Sequence, residues 1–527
     1  MSDISRRTPA STGSRAHNLP RNAFFLLAGQ VGTTTLSVIL TAILARRLGE
    51  VRFGVYYLLM AVSTFAYVFV DWGQSAYLIR ESARRREDSG SLLGGALAFR
   101  ATAAFLAALA TAALLKVIGY DSRTEFLALL AVVCGLSLAL SQPYSYIFRA
   151  QDRMDLDAIV TTVGKALTLA VTVPALLLGG GLPSVLLMQA VGGAGSLLIA
   201  VFLARKICLK ARRPELRVLQ QLASGGAPIA VFFVVSAVQP FTDTIVLSKL
   251  VPPEVVGWYG AARNIMGVLF APALILAAAS FSELSRVSGS TPDLRRTLRA
   301  MLKVLTGLGA LAAVGTFLFA DVAVGLVYGR DHFDPATAVL RAFAPALPLF
   351  FLDILLGYAI IAAGKAKELA IVKLVSVAVG TSLAILLIPV CQARLGNGAI
   401  GSVLAFGSSE VLMLTAFLCL LLRRAVDRGA LLDFLRAAAA AGGTVAIFRA
   451  LPSMTPWLAV PACVAVFLAL ALATGLVLRT DLNNVADLVR RKLERMRIGA
   501  NWQDWAPKYR SGASLKRNRT YNGINCR

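Results

Sequence analysis

The feature that most constrains this chain is a series of apolar segments, each about 20 residues long, separated by short polar joints. The series runs from residue 22 to residue 479. Hydrophobic residues make up 57% of the chain and charged residues only 15%, which leaves too little polar surface to cover a water-soluble globule. The sequence therefore predicts a polytopic membrane protein.

The segments predict about fourteen membrane-spanning helices, because one span needs roughly 20 apolar residues. The predicted spans are residues 22–45, 53–79, 92–119, 126–148, 156–178, 183–203, 224–250, 256–284, 298–328, 336–363, 369–390, 399–422, 431–450 and 457–478. The last two are the weakest prediction, since residues 437–443 are only alanine and glycine and weakly hydrophobic. If only one of the two spans the bilayer, the C-terminus lies on the opposite side.

Basic residues crowd every second joint, with about 26 on one face of the membrane and about eight on the other. This asymmetry predicts that both termini are cytoplasmic. It also explains the formal net charge of +25, because these cations set the topology and contact anionic membrane lipids. No nucleic-acid partner is expected.

An internal repeat predicts two lobes. The motif Phe53-Gly54-Val55-Tyr56 opens the second predicted span, and Val256-Gly257-Trp258-Tyr259 opens the eighth. Residues 149–154 and 362–367 form a second pair of similar segments, also six spans apart. Units with an even number of spans are related by an axis along the membrane normal. The predicted fold class is therefore all-α, with two six-helix lobes in pseudo-two-fold symmetry around a central cleft, followed by two C-terminal helices.

The predicted domain organisation follows from the spans and the polar segments that flank them. It consists of a cytoplasmic leader (1–21), an N-lobe (22–207), a linker (208–223), a C-lobe (224–424), the last two spans (425–479), an amphipathic interfacial helix (480–499) and a disordered basic tail (500–527). The leader lacks the apolar core of a cleaved signal peptide. The six cysteines and two histidines have no metal or redox spacing, so neither a metal site nor a catalytic residue is predicted.

Several motifs of the chain resemble the polysaccharide-transporter branch of the multidrug/oligosaccharidyl-lipid/polysaccharide (MOP) exporter superfamily. They include Phe53-Gly54-Val55-Tyr56 and Asp71-Trp72-Gly73. The other segments that carry the resemblance are residues 45–49, 78–81, 243–247, 256–263, 281–286, 327–329 and 362–365. The resemblance covers residues 22–424, the twelve-helix core of that fold. Ser282 stands where the family usually has a proline just after the eighth helix.

The resemblance implies a flippase of the bacterial inner membrane that carries undecaprenyl-pyrophosphate-linked oligosaccharide from the cytoplasmic to the outer leaflet. Its product would supply O-antigen, capsule or exopolysaccharide synthesis, with polysaccharide polymerase or export machinery as further partners. The resemblance also implies alternating access around a cationic cavity, no enzymatic activity and no bound cofactor. H⁺ and Na⁺ are the candidate coupling ions.

Two other functions stay open at this stage. A cation-coupled drug antiporter of the same superfamily would favour an acidic, aromatic-lined chamber. An integral-membrane glycan polymerase or ligase would need acid–base groups on sizeable external loops. The predicted external joints are short, as residues 179–182 and 251–254 show.

Charged residues inside spans are the candidate site residues of the N-lobe, because each is costly unless it faces a cavity or a partner. Arg100 and Lys165 are expected to form a basic cytoplasmic entry to the chamber, although long cations can also reach the interface. Asp71 lies near the cytoplasmic end of the second span. It either lines the cavity or serves a helix end or a neighbouring arginine.

In the C-lobe, Asp243 and Arg263 are expected to face each other at similar depth, each about ten residues from Pro253. Either they form a structural ion pair, or Arg263 lines the cleft and contacts a phosphate. A kink at Gln239–Pro240 just below the pair would favour the second alternative. Gln30 and Asn264 are candidates to hydrogen-bond sugars, although polar residues also join helices.

Asp353 and Glu410 are the deepest acids of the predicted spans. They are candidates to bind a coupling proton or sodium ion. The alternative is that they are neutral, hydrogen-bonded acids in the helix packing.

Overall fold

The computed structural model describes residues 12–287, 290–422, 428–450 and 455–476. Within these ranges every regular element is a helix, which confirms the predicted all-α fold. The helices are α1 (Thr12–Asp71), α2 (Gln74–Arg84), a 3-10 turn (Arg86–Asp88), α3 (Ser89–Ile118), α4 (Ser122–Ala150), α5 (Met154–Leu177), α6 (Leu182–Lys206), α7 (Leu216–Leu250), α8 (Pro253–Leu269), α9 (Ala271–Val287), α10 (Thr291–Tyr328), α11 (Asp334–Phe343), α12 (Ala346–Ala362), α13 (Ala366–Leu395), α14 (Gly398–Leu422), α15 (Arg428–Ala450) and α16 (Pro456–Ala473). The predicted interfacial helix and basic tail lie outside the described residues.

Ten helices of the described residues are long and apolar enough to cross a membrane, and twelve if each of two bent pairs counts as one span. This finding establishes a multi-pass membrane protein. Helix α1 is counted once, although it covers the first predicted span and most of the second. Helix α7 is not among the counted helices. The total of fourteen spans therefore stays a prediction.

Three breaks divide helices differently from the predicted spans, and a fourth, at Gly49, lies between the first two predicted spans, as expected. Gly49, with φ 72° and ψ 170°, separates the two halves of α1 in a backbone conformation that favours glycine. The predicted spans 53–79, 256–284 and 336–363 are each broken, after Asp71, at Phe270 and after Phe343. Pro272 and Pro345 stand next to the last two breaks, where a missing N–H and a fixed φ disfavour a continuous helix. By contrast, α7 continues through Pro240, the position expected to kink.

The chain divides into two compact units, of which the second begins at Arg428 and contains the contacting pair α15 and α16. In the first unit, α1 and α3–α6 pack on one another to form an N-lobe. Helices α9–α14 pack on one another to form a C-lobe. Helix α7 contacts this lobe through α13, and α8 contacts it mainly through α11. The principal contacts between the lobes are those of α1 with α7 and α8.

The two lobes meet through a reciprocal contact between the repeated motifs. A Cβ atom on Gly54 would overlap the carbonyl oxygen of Pro253, and one on Gly257 would overlap the carbonyl oxygen of Glu50. In each case the blocking carbonyl lies four residues before the partner glycine. Such an exchange of equivalent contacts is what a two-fold relation produces. Each glycine is needed because the two backbones approach too closely for any side chain.

Polar and aromatic contacts close the same end of the lobe interface. The Trp258 indole donates to the Glu50 carboxylate at 2.7 Å, and the Arg46 guanidinium donates to the Val327 carbonyl at 2.9 Å. The Phe53 ring contacts the rings of Tyr328 and Phe333. The charge asymmetry predicts that this end is external. At the opposite end the lobes touch where the start of α7 meets α2 and α3.

Candidate functional site

A cavity of about 850 Å³ lies inside the N-lobe. Its walls come from α1, α4, α5 and α6, with one residue each of α2 and α7. Hydroxyl, amide and phenol groups line much of it, and the principal ones belong to Thr33, Tyr56, Tyr67, Gln142, Tyr146, Thr161, Thr168, Gln189 and Ser196. A chamber of this size and polarity at membrane depth is suited to a hydrated, hydrogen-bonding ligand.

Three charged side chains line the cavity: Asp71, Arg149 and Lys165. Arg149 donates to the buried Asp157 carboxylate at 2.7 Å. Lys165 is half-buried, and within the described residues it has no hydrogen bond or ion pair. An ammonium group held in such a place without a counter-charge is costly. The cavity therefore offers one uncompensated cation to an anionic ligand.

The Asp71 carboxylate is held by a buried arginine behind the cavity wall. Arg100 is 1% exposed and forms an ion pair with Asp71. Its guanidinium also donates to the Gln142 amide oxygen at 2.9 Å, the Ala139 carbonyl at 2.7 Å and the Gln74 amide oxygen at 3.2 Å. These bonds satisfy a cation that would otherwise be unstable inside the membrane. Arg100 was expected at the entry, but the structure places it behind the cavity wall, where its guanidinium joins α3 to α1, α2 and α4.

A comparison with known protein families shows which family this chain belongs to. Residues 43–336 match the family described as "Polysaccharide biosynthesis protein", and this match covers more than half of the chain. The chain belongs to the polysaccharide biosynthesis protein family. This match confirms the predicted resemblance to a polysaccharide family, and the solved structures described next confirm the predicted fold.

Two solved structures share the fold of this polysaccharide biosynthesis protein. The first, described as "Lipid II flippase MurJ, inward closed conformation", has a TM-score of 0.67 at 12% identity, and the match covers 86% of this chain and 98% of that one. The second, an inward-facing multidrug resistance MATE family transporter of the MOP superfamily, has a TM-score of 0.61 at 17% identity, and the match covers 74% and 94%. No curated protein sequence matches the chain.

In the C-lobe of this family member, Arg263 lies among aromatic rings. Its guanidinium carbon is 4.7 Å from the Phe406 ring centroid, 5.8 Å from that of Phe343 and 5.9 Å from that of Phe270. Asp243 is buried and interacts with Arg263 electrostatically, but no ion pair within 4 Å forms between them in the described structure. The structure thus places both residues close together, as expected, with cation–π contacts as the direct support of the arginine.

Asp353 and Glu410 are also brought together in the C-lobe. They interact electrostatically with each other and with Lys373 on α13. Both Glu410 carboxyl oxygens and one Asp353 oxygen are buried without a hydrogen bond. Buried carboxyl groups of this kind are stable when they are neutral or when a cation sits between them. No group of three or more His, Cys, Asp or Glu residues arranged to hold a metal occurs in the part of the chain that the structure describes.

Gln30 and Asn264 lie outside the cavity wall. The exposed Gln30 amide contacts the Thr34 hydroxyl one turn along α1, at 3.4 Å. Asn264 lies beside the Tyr328 hydroxyl, near the contact between the lobes. Gln239 within α7 donates to the Ser409 hydroxyl at 3.3 Å and so ties α7 to α14.

Sequence reasoning missed most of the cavity wall. Arg149 lies at the start of the repeated segment 149–154 and was not predicted as a site residue, although it reaches the cavity from the end of α4. Gln142 and Tyr146 lie one turn apart on α4 and both contact the Asp71–Arg100 pair. Their spacing of four residues, continued by Arg149, was the signal that could have identified a polar helix face.

We expect Arg100→Leu to lower the free energy of unfolding by about 3 kcal/mol, because it leaves the Asp71 carboxylate without its buried counter-charge. The measurement is denaturant unfolding of the protein in detergent micelles. Arg84→Leu, a change at an exposed arginine of α2, is the matched control and should stay within about 0.5 kcal/mol of the wild type. A loss below about 1 kcal/mol for Arg100→Leu would show that the pair does not hold the wall together.

Proposed function

We propose that this protein is a flippase that moves undecaprenyl-pyrophosphate-linked oligosaccharide repeat units from the cytoplasmic to the outer leaflet of the bacterial inner membrane. Both termini are then cytoplasmic, and the carried glycan serves synthesis of a surface polysaccharide such as O-antigen, capsule or exopolysaccharide. Membership of the polysaccharide biosynthesis family and a fold shared with a lipid II flippase support a lipid-linked substrate.

The observation that carries this proposal is Lys165 in the N-lobe cavity, which has no hydrogen-bond or ion-pair partner among the described residues. The two other cations at this wall are matched, Arg100 by Asp71 and Arg149 by Asp157, so Lys165 remains as a net positive charge. A pyrophosphate group supplies the counter-charge that the protein itself does not. A drug cation would instead meet repulsion here, which argues against the antiporter alternative.

The rest of the wall suits a sugar. Its amides and phenols offer donors and acceptors at several depths, and the Gln189 amide donates to the Tyr56 hydroxyl at 2.9 Å. About 850 Å³ is large enough for a pyrophosphate and the first sugars of a repeat unit. Longer glycans would extend from the cavity towards the space between the lobes.

The way the lobes meet supports a mechanism of alternating access. The closed contact around Gly54 and Gly257 blocks the predicted external end, so that a substrate enters this conformation from the cytoplasmic side. Release on the outside requires that contact to open while the lobes approach at the other end. Opening this end breaks the Trp258–Glu50 and Arg46–Val327 hydrogen bonds and the ring contacts of Phe53. The two glycines themselves have no side chains that interlock.

We propose that Asp353 and Glu410 form the coupling-ion site, because one oxygen of Asp353 and both of Glu410 are buried without a hydrogen bond in the described structure. Binding of one proton or one Na⁺ between them would remove one negative charge from the pair and weaken its attraction for Lys373 beside them. Occupancy would thereby change the packing of α12, α13 and α14 and bias one conformation of the C-lobe.

Lys165→Ala is expected to reduce export of the surface polysaccharide at least tenfold, with lipid-linked repeat units accumulating in the cytoplasmic leaflet, because the anion loses its counter-charge. Mass spectrometry of extracted polyprenyl-linked glycans measures both effects. Lys165→Arg should retain export. Lys206→Ala, which removes an exposed lysine at the end of α6, serves as the control. Full export by Lys165→Ala at wild-type protein level would contradict the proposal.

Glu410→Gln is expected to abolish the dependence of transport on the ion gradient, because a neutral amide cannot gain or lose a charge. Transport into vesicles is measured with and without an imposed H⁺ or Na⁺ gradient. Glu368→Gln, at the exposed start of α13, is the control and should leave the gradient response intact. An unchanged gradient response in Glu410→Gln would remove this residue from the coupling site.

A further inference from the structure

A second, apolar groove of about 700 Å³ lies on the N-lobe, between α1, α3 and the start of α7. Its lining consists almost entirely of alanine, leucine and aromatic side chains: Phe65, Ala66, Phe69, Trp72, Phe99, Ala103, Leu106, Ala107, Ala110, Thr111, Leu114, Ala223 and Ser224. Leu106, near the middle of α3, is 59% exposed. At that depth in a membrane protein the groove faces hydrocarbon, so its occupant is an apolar chain.

One helix separates this groove from the polar cavity. Tyr67, Val68 and Asp71 of α1 line the cavity, whereas Phe65, Phe69 and other residues of the same helix line the groove. The two sets lie on different faces of the same two turns. A hydrated chamber and a hydrocarbon-facing slot therefore stand on opposite sides of a single helix wall, which is the arrangement that a ligand with an anionic head and an apolar tail requires.

The cytoplasmic end of this wall is held in a strained conformation. Trp72 has a φ of 45° and Gly73 a φ of 71°, so α1 ends at Asp71 and α2 starts at Gln74. For a bulky residue such as tryptophan a positive φ is costly and persists only when its surroundings fix it. The Trp72 indole donates to the Ala223 carbonyl at 3.0 Å, which closes the end of the groove. The break thus directs Asp71 to the cavity and Trp72 to the groove.

The length of the groove decides between apolar occupants. Along α3 it extends from Phe99 to Leu114, which is about 22 Å of helix. The hydrocarbon core of a bilayer is about 30 Å thick, so a groove of this length crosses the midplane. A phospholipid acyl chain stays within its own leaflet. A polyprenyl chain is longer, and in a flippase it has to pass from one leaflet to the other.

We propose that the groove formed by α1, α3 and the start of α7 binds the polyprenyl chain of the lipid-linked substrate while its pyrophosphate head occupies the N-lobe cavity. This inference rests on the proposed function and adds the path of the tail. Because α7 belongs to the C-lobe side of the interface, movement of the lobes changes the groove, so that the tail is held in one conformation and released in the other.

The test uses the full-length protein in vesicles of phosphatidylethanolamine and phosphatidylglycerol, with a polyprenyl phosphate that carries a diazirine on its isoprenoid chain. After illumination, mass spectrometry locates the labelled peptides. We expect labels on residues 99–114 and 65–72, competed by unlabelled polyprenyl phosphate and not by phosphatidylglycerol. This competition on the wild-type protein does not depend on the folding of any variant.

A matched pair of substitutions on α3 localises the chain. Ala110→Trp fills the groove and should reduce labelling at least fivefold, whereas Ala113→Trp, at an exposed position of similar depth outside the groove lining, should leave labelling unchanged. Equal labelling of the two variants would overturn the inference. So would equally efficient labelling of the same residues by a phosphatidylglycerol with a diazirine on its acyl chain, which would identify an ordinary lipid contact.

A tail-free ligand separates failure of this inference from failure of the proposed function. A water-soluble disaccharide pyrophosphate, which has no apolar chain, should bind with an affinity that falls at least tenfold in Lys165→Ala and not in Ala110→Trp. If this ligand binds in that manner and the groove is not labelled, only the tail path is wrong. If the ligand does not bind and the groove is not labelled, the proposed flippase function falls with it.

Discussion

The structure depends on one constraint, which is that a charged side chain inside hydrocarbon must have a partner or reach water. Arg100 meets it completely, with the Asp71 carboxylate and three oxygen acceptors around a guanidinium that solvent does not reach. Lys165 meets it only through the cavity, since no counter-charge stands beside it in the described structure. Arg100 therefore stabilises the packing of the cavity wall, whereas Lys165 is available to bind an anionic ligand.

The break at Asp71-Trp72-Gly73 shows how a short motif organises two environments. A continuous helix would carry α1 straight on, and Trp72 would not reach the Ala223 carbonyl. Two consecutive residues with positive φ end the helix and anchor the cytoplasmic end of the groove. The same break leaves Asp71 as the last helical residue, within reach of Arg100 on α3. The N-lobe cavity therefore meets the apolar groove and the lobe interface at this strained break.

Much of the fold could be predicted from hydropathy, because the bilayer demands long apolar helices and leaves little choice of secondary structure. The repeated motifs around Gly54 and Gly257 predicted two lobes, and these two glycines make equivalent contacts with each other's helices. The helix breaks at Trp72 and Phe270 were not predicted, although Gly73 and Pro272 beside them are residues that disfavour a continuous helix. At Trp72 a tertiary contact, the hydrogen bond to the Ala223 carbonyl, holds the bend. For the site, counting helical rise placed Lys165 at depth, but rise says nothing about which face a side chain occupies. For this reason Arg100 was expected at the entry to the cavity, whereas the structure places it behind the cavity wall.

The most direct test of the central claim is a cryo-electron microscopy map of the protein in nanodiscs with a lipid-linked oligosaccharide bound. The unpaired lysine predicts a phosphate oxygen within about 4 Å of the Lys165 Nζ atom, inside the N-lobe cavity. A phosphate located in the C-lobe or at the membrane surface, with Lys165 still without a partner, would contradict the claim.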